Sequence, residues 1–150
     1  MAIAAGEIDL ADLLCLASAE PPWAPAVVVD AIAGLFASEG DYANGGADQF
    51  VWNHGAATAR AIGAAWLAVG AVENGELLVE LAAALERSEA ETPPDPPGPP
   101  DPLQAFMAYR RRVGGPDFNR PAPHDELAEA LVEYAHEHPE AFSRPSRSDV

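Results

Sequence analysis

The stretch ETPPDPPGPPDP at residues 91–102 holds seven of the chain's 15 prolines, and no regular helix or sheet can run through it. Each proline lacks a backbone N–H and fixes its own φ, so the segment favours an extended polyproline II course of about 3.1 Å per residue. A second cluster, PPWAP at 21–25, interrupts the chain near its start. The fold has to be assembled from the stretches these breaks leave free.

Those stretches read as helix. Residues 7–18 follow Gly6 and carry Glu7 and Asp9 early, which suits a helix N-terminus. Residues 25–38 place Val28, Ile32, Leu35 and Phe36 on one face at helical spacing. Residues 46–54 read as a short helix. The segment 56–70, AATARAIGAAWLAVG, is nearly uncharged and apolar almost all round, which predicts a buried central helix. Residues 73–88 are amphipathic, with Leu77, Leu78, Leu81 and Leu85 turned inward and Glu73, Glu76 and Glu80 on another face. Two further helices, 102–113 and 124–138, follow the proline stretch. No strand-like alternation occurs. The expected fold is therefore all-α: a single domain of about seven helices with its core in residues 7–142. Residues 91–102 form a surface linker before the last two helices, and residues 143–150 form a flexible tail.

A chain of 150 residues suits one such domain. Its charge limits what it can bind. There are 24 acidic residues against eight basic ones, all of them Arg, for a net charge of −16. That charge repels nucleic acid and favours basic partners. Halophilic or genomic adaptation is the competing source of an acidic, lysine-free composition. The N-terminal stretch MAIAAGEIDL lacks a signal-peptide pattern, and no run of about 18 apolar residues spans a membrane. The expectation is a cytoplasmic protein. The single Cys15 rules out an internal disulfide and reads as a small core residue.

Near the middle, NGGADQFVWN at residues 44–53 mixes a glycine turn, an acid, amides and aromatics. Asn44, Gly45 and Gly46 supply left-handed backbone angles cheaply, and a helix can begin just after them. Gln49 and Asn53, four apart, project from the same face. Two readings are open. In the structural one, both amides are buried and bond to backbone near residues 41–46, while Phe50 and Trp52 anchor the helix. In the functional one, Gln49, Asn53 and His54 line a binding site.

The pattern Asp-x-x-Asn-Gly-Gly-x-x-Gln-Phe-x-x-Asn resembles the hallmark of the DNA-mimic protein nineteen family. The matching positions are Asp41 (usually Glu in the family), Asn44, Gly45, Gly46, Gln49, Phe50 and Asn53. Ala47 and Val51 depart from it, standing where the family favours large aromatics. AWLAVGA at 65–71 and ELAEALVEYAHEHPEAF at 126–142 are similar to the family's apolar helix and closing helix, so the resemblance spans residues 25–142. It implies an all-helical, acidic, dimeric protein whose surface carboxylates imitate DNA phosphates and occupy a DNA-binding protein. It also implies that the weakly charged motif is scaffold.

Any mimicry then rests on the acidic surface. Glu126, Glu129, Glu133, Glu137 and Glu140 recur at steps of 3, 4, 4 and 3. On a helix these carboxylates stand about 4.5–6 Å apart along one stripe, with Leu127, Leu131 and Tyr134 inward. Glu73, Glu76 and Glu80 repeat the pattern. A merely solvated helix face would look the same. Arg110, Arg111 and Arg112 stand out against this field and suit a helix C-terminus.

Catalytic signatures are lacking. His136 and His138 are two apart and diverge on a helix, and only His124 offers a third ligand, so no metal or other cofactor is expected. No nucleophile elbow, phosphate loop or Cys-x-x-Cys occurs. The leading expectation is a non-enzymatic regulator that binds a basic DNA-binding protein and blocks its access to DNA. One alternative is an immunity or antitoxin protein that plugs a basic nuclease toxin. The other is an enzyme or small-ligand module built around the Asn-Gly-Gly region.

Overall fold

The computed structural model describes residues 9–19, 24–91, 108 and 122–142. Of the expected linker only Glu91, which ends a helix, is described, and of the helix at 102–113 only Ala108, which is helical. The rest of both, the Arg110–Arg112 cluster and the tail lie outside the described residues. Within them the chain is all-helical: α1 (Leu10–Ser18), α2 (Ala26–Ala68), α3 (Val72–Glu91), α4 (Pro123–Glu137) and a closing 3-10 turn (Pro139–Phe142).

Four helices stand here rather than about seven. The difference arises mainly in α2, where three expected helices run on as one element. Its continuity breaks only at Gly46 (φ 72°, ψ −162°) and Gly55 (φ 82°, ψ 164°). Both angle pairs lie in a region open essentially to glycine alone. Each glycine redirects the chain in a single residue, so no loop separates the segments 26–45, 47–54 and 56–68.

The core forms mainly between α2 and α3. Val28, Ala31, Ile32 and Leu35 of the first segment are buried, and Trp66 of the third is fully enclosed. The Trp66 indole N–H donates to the Ala31 carbonyl at 3.0 Å, which joins these segments through the interior. A Cβ on Gly34 would lie 2.6 Å from Ile62 Cγ2, so the segments approach closely at a residue without a side chain. That explains Phe36, which was expected inward and is 60% exposed. The helix approaches its neighbour through Ala31, Gly34 and Ser38, and Phe36 falls beyond the edge of this small-residue face.

The third segment is not buried all round. Ala57, Thr58, Ala61, Ala64 and Ala68 are exposed, while Ala59, Gly63 and Trp66 face the core. Alanine favours helix through backbone propensity and carries little apolar area, so an alanine-rich face need not be covered. Cys15 likewise is exposed, not buried. The buried residue of α1 is Leu13, and a position two further on points about 200° away. An Asp9–Asp12 capping box starts this helix.

Between α2 and α3 the chain turns at Gly70 (φ 95°). Ala71 N–H donates to the Trp66 carbonyl at 2.9 Å, and Gly70 N–H to that of Leu67 at 3.1 Å. This is a Schellman closure, and it lets α3 fold straight back onto α2. Gly63 then faces Gly75, and a Cβ on Gly63 would lie 2.9 Å from the Gly75 carbonyl oxygen. Leu78, Leu81, Ala82 and Leu85 complete the α3 face, while Leu127, Ala130, Leu131 and Ala135 turn α4 inward.

These contacts set opposite outcomes for two Gly→Ala changes. At Gly40 a Cβ meets nothing within 4 Å, so Gly40→Ala gains helix propensity and stabilises by about 0.5–1 kcal/mol. Gly63→Ala forces the helices apart and lowers stability by about 1–3 kcal/mol, the usual cost of overpacking. Urea unfolding of the two variants checks the signs.

Candidate functional site

The motif at the first break of α2 is a chain of side-chain hydrogen bonds. Gly46 turns the helix so that Asp41, before the break, faces Asn53 and His54, near the end of the next segment. Asn53 Nδ2 donates to Asp41 Oδ1 at 2.6 Å. His54 Nε2 lies 2.9 Å from Asp41 Oδ2. Gln49 Nε2 donates to Asn53 Oδ1 at 3.1 Å.

Each remaining motif residue has a local task. Asn44 Nδ2 donates to the Gly40 carbonyl at 2.8 Å, one turn back. Gly45 is helical and carries no Cβ where Gln49 folds across it, since a Cβ would come within 2.9 Å of Gln49 Cβ. Of the two adjacent glycines only Gly46 takes a positive φ. Phe50 is fully buried and stacks on the His54 ring, centroids 4.6 Å apart. Tyr42 packs between Phe50 and Trp66, 6.3 Å from each. Ala47 and Val51 are buried too, at small positions against the core.

The expectation of buried amides bonded to backbone is overturned. Asn53 is exposed, Gln49 is half-buried, and both bond to side chains. The buried polar residue here is Asp48, in the first turn after Gly46. Burial of Phe50 and Val51 fixes the segment's inward face, and this turns positions 49 and 53 outward. The one-residue turn that brings Asp41 opposite Asn53 was not visible in the helical periodicity.

The carboxylates divide into two kinds. Glu129, Glu133 and Glu137 are exposed along α4, and Glu73, Glu76 and Glu80 are exposed along α3. Glu126 does something else. Its Oε1 accepts from the Glu73 N–H at 2.7 Å. Its Oε2 accepts from the Asn74 N–H at 2.9 Å and from Asn74 Nδ2 at 2.6 Å. It therefore caps the first turn of α3 from the first turn of α4, where a negative charge also meets the positive end of the helix dipole. Asn74, only 2% exposed, is a site residue that sequence reasoning missed. Its one signal was an amide in the first turn of an otherwise leucine- and glutamate-rich helix.

Glu140 lies off the stripe. The helix ends at Glu137, Pro139 opens the 3-10 turn, and Glu140 faces His138 at 3.7 Å with its side chain 75% exposed. Arg60 pairs with Glu86, joining the third segment of α2 to α3. Among the described residues no group of three or more His, Cys, Asp or Glu is placed to hold a metal ion. No helix among them is long and apolar enough to cross a membrane.

Replacing Glu126 by Gln keeps its shape but removes its charge and turns one oxygen into an amide. The three N–H groups it accepts cannot all be satisfied. Stability falls by about 1–3 kcal/mol, the range for hydrogen bonds to a charged group near a helix end. Glu133→Gln, on the exposed face, changes stability by less than about 0.5 kcal/mol. Thermal unfolding of the two variants side by side makes the comparison.

A family described as DMP19-like protein has a model that matches residues 28–144. No curated protein and no solved structure matches the chain. The family match covers most of α2, all of α3 and α4, and the closing turn, including the Asp41–Asn53 network and both runs of exposed glutamates. The chain belongs to the DMP19-like protein family.

Proposed function

We propose that this protein is an acidic, non-enzymatic regulator that occupies the basic DNA-binding surface of a partner protein and keeps DNA from it. The observation that carries the reading is the pair of glutamate runs leading away from one contact. Glu126 of α4 holds the start of α3. From there Glu129, Glu133 and Glu137 extend along one helix, and Glu73, Glu76 and Glu80 along the other, all exposed.

The spacing supports it. Successive carboxylates four residues apart rise about 6 Å along a helix. Phosphates on one DNA strand advance about 3.4 Å along the axis and further along the winding backbone. Among the described residues, Glu129, Glu133 and Glu137 have neither a hydrogen bond nor an ion pair, so their charge is free for a partner. The net charge of −16 adds a long-range field that draws in basic proteins and repels nucleic acid. The reading takes the protein as cytoplasmic and homodimeric, and a dimer would present the acidic surface twice.

The test uses a partner recovered by affinity purification from the native host. Its binding weakens steeply as salt rises, because exposed charges are screened beyond about 8 Å at physiological ionic strength. Duplex DNA competes for the same surface. The triple change Glu129→Gln, Glu133→Gln, Glu137→Gln leaves the fold intact and slows association more than it speeds dissociation, since peripheral charges act chiefly by steering. Simultaneous binding of DNA and this protein to the partner, or undiminished competition by the triple variant, sinks the proposal.

A further inference from the structure

We infer that Asp41, Gln49, Asn53 and His54 form a docking point for a single arginine side chain of the partner protein. The inference rests on the proposed function for the kind of partner, but on separate residues for the site.

The polarity of the network is fixed from one end. Asp41 is an acceptor only, so Asn53 must turn its NH2 toward it. Asn53 Oδ1 then faces Gln49 and accepts its NH2. The orientation leaves Gln49 Oε1 as the open end, with no donor to it among the described residues. Aligned bonds of this kind polarise one another, so the terminal oxygen is a better acceptor than an isolated amide. It lies beside the bare Cα of Gly45, where a Cβ would stand 3.1 Å from it. No side chain at that position screens the approach.

A flat surface sits beside the Asp41 end of the network, where His54 Nε2 lies 2.9 Å from Asp41 Oδ2. The His54 ring has Phe50 against it, with 30° between the planes, and its side chain is 38% exposed. The Asp41 side chain next to it is still 17% exposed. A planar cation that donates along its edge and stacks through its face fits this arrangement. A guanidinium does both, whereas an ammonium supplies only point-charge donors. The segment that carries the site brings no cation of its own: residues 1–59 contain eight acids and no Arg or Lys.

The side-chain NH2 resonances of Gln49 and Asn53 report on the site directly. The full-length protein, labelled with nitrogen-15, is titrated at physiological salt with acetyl-Gly-Arg-Gly-amide and, separately, with acetyl-Gly-Lys-Gly-amide. Both resonances shift saturably with the arginine peptide and reach half-saturation at lower concentration than with the lysine peptide. Gln49→Ala, which leaves the Asp41–Asn53 and Asp41–His54 contacts in place, binds the arginine peptide about tenfold more weakly, as expected for one charge-assisted hydrogen bond. Asp41→Asn, with its shape kept and its charge removed, weakens binding at least as much. The amide spectrum of each variant reports whether it is folded. Three outcomes overturn the inference: unmoved resonances, equal response to both peptides, or unchanged binding in folded Gln49→Ala. None of them touches the glutamates of α3 and α4, so the DNA competition decides the broader proposal independently.

Discussion

Gly63 and Gly75 set the distance between the two longest helices, and the rest of the structure depends on that distance. Neither residue tolerates a Cβ without meeting the other's backbone carbonyl at about 3 Å. The helices therefore approach backbone to backbone, and Leu78, Leu81, Ala82 and Leu85 reach into the space shared with Trp66. Trp66 in turn holds the first segment of α2 through the Ala31 carbonyl. That first segment carries Asp41, so the motif's geometry traces back to a contact between two glycines.

The same dependence runs toward the acidic surface. Once α3 lies against α2, its first turn presents free N–H groups that α2 does not reach. Glu126 satisfies those of Glu73 and Asn74 and binds α4 to the pair. Glu126 thus stands apart from the exposed carboxylates and becomes the joint from which the two exposed runs extend. A carboxylate is well suited to this joint: it accepts several donors at once and meets the positive end of the α3 dipole.

The residue pattern made much of this legible, and its failures have physical causes. Leucine spacing located α3 and α4 because leucine at every third or fourth position leaves one buried face. Val28, Ile32 and Leu35 read correctly, but Phe36 did not: closeness of approach, set by Gly34 and Ile62, decided that face more than hydrophobicity did. Alanine misled at 56–70 because it is at home both inside and outside. Asn44, Gly45 and Gly46 were read as a turn before a new helix, whereas a single glycine at positive φ, Gly46, turns the helix within one residue. Gly55 does the same between the segments expected at 46–54 and 56–70. In the motif, the facing side chains Gln49 and Asn53 followed from their spacing of four, whereas their exposure depended on which face Phe50 and Val51 took to the core. The tie between Glu126 and Asn74 joins residues 52 apart, and no local pattern announces such a contact.

The acidic surface and the packed interior make opposing demands on charge. Every exposed glutamate on α3 and α4 adds to the field that attracts a basic partner, and it also adds to the self-repulsion of the folded chain. The structure separates these effects in space. Its tight contacts, Gly34 on Ile62 and Gly63 on Gly75, use neutral and mostly small residues and depend on no ion pair. The Arg60–Glu86 pair lies at the surface, where such pairs contribute little. Cohesion of α2 with α3 therefore rests on packing and backbone hydrogen bonds, which salt hardly affects, while the Glu126 carboxylate adds a charged tie only where α4 joins them. Salt relieves the repulsion among the glutamates and, at the same time, screens their attraction for a partner. The interior is thus indifferent to the condition that most strongly governs the surface, and the glutamates can vary without disturbing the glycine contacts beneath them.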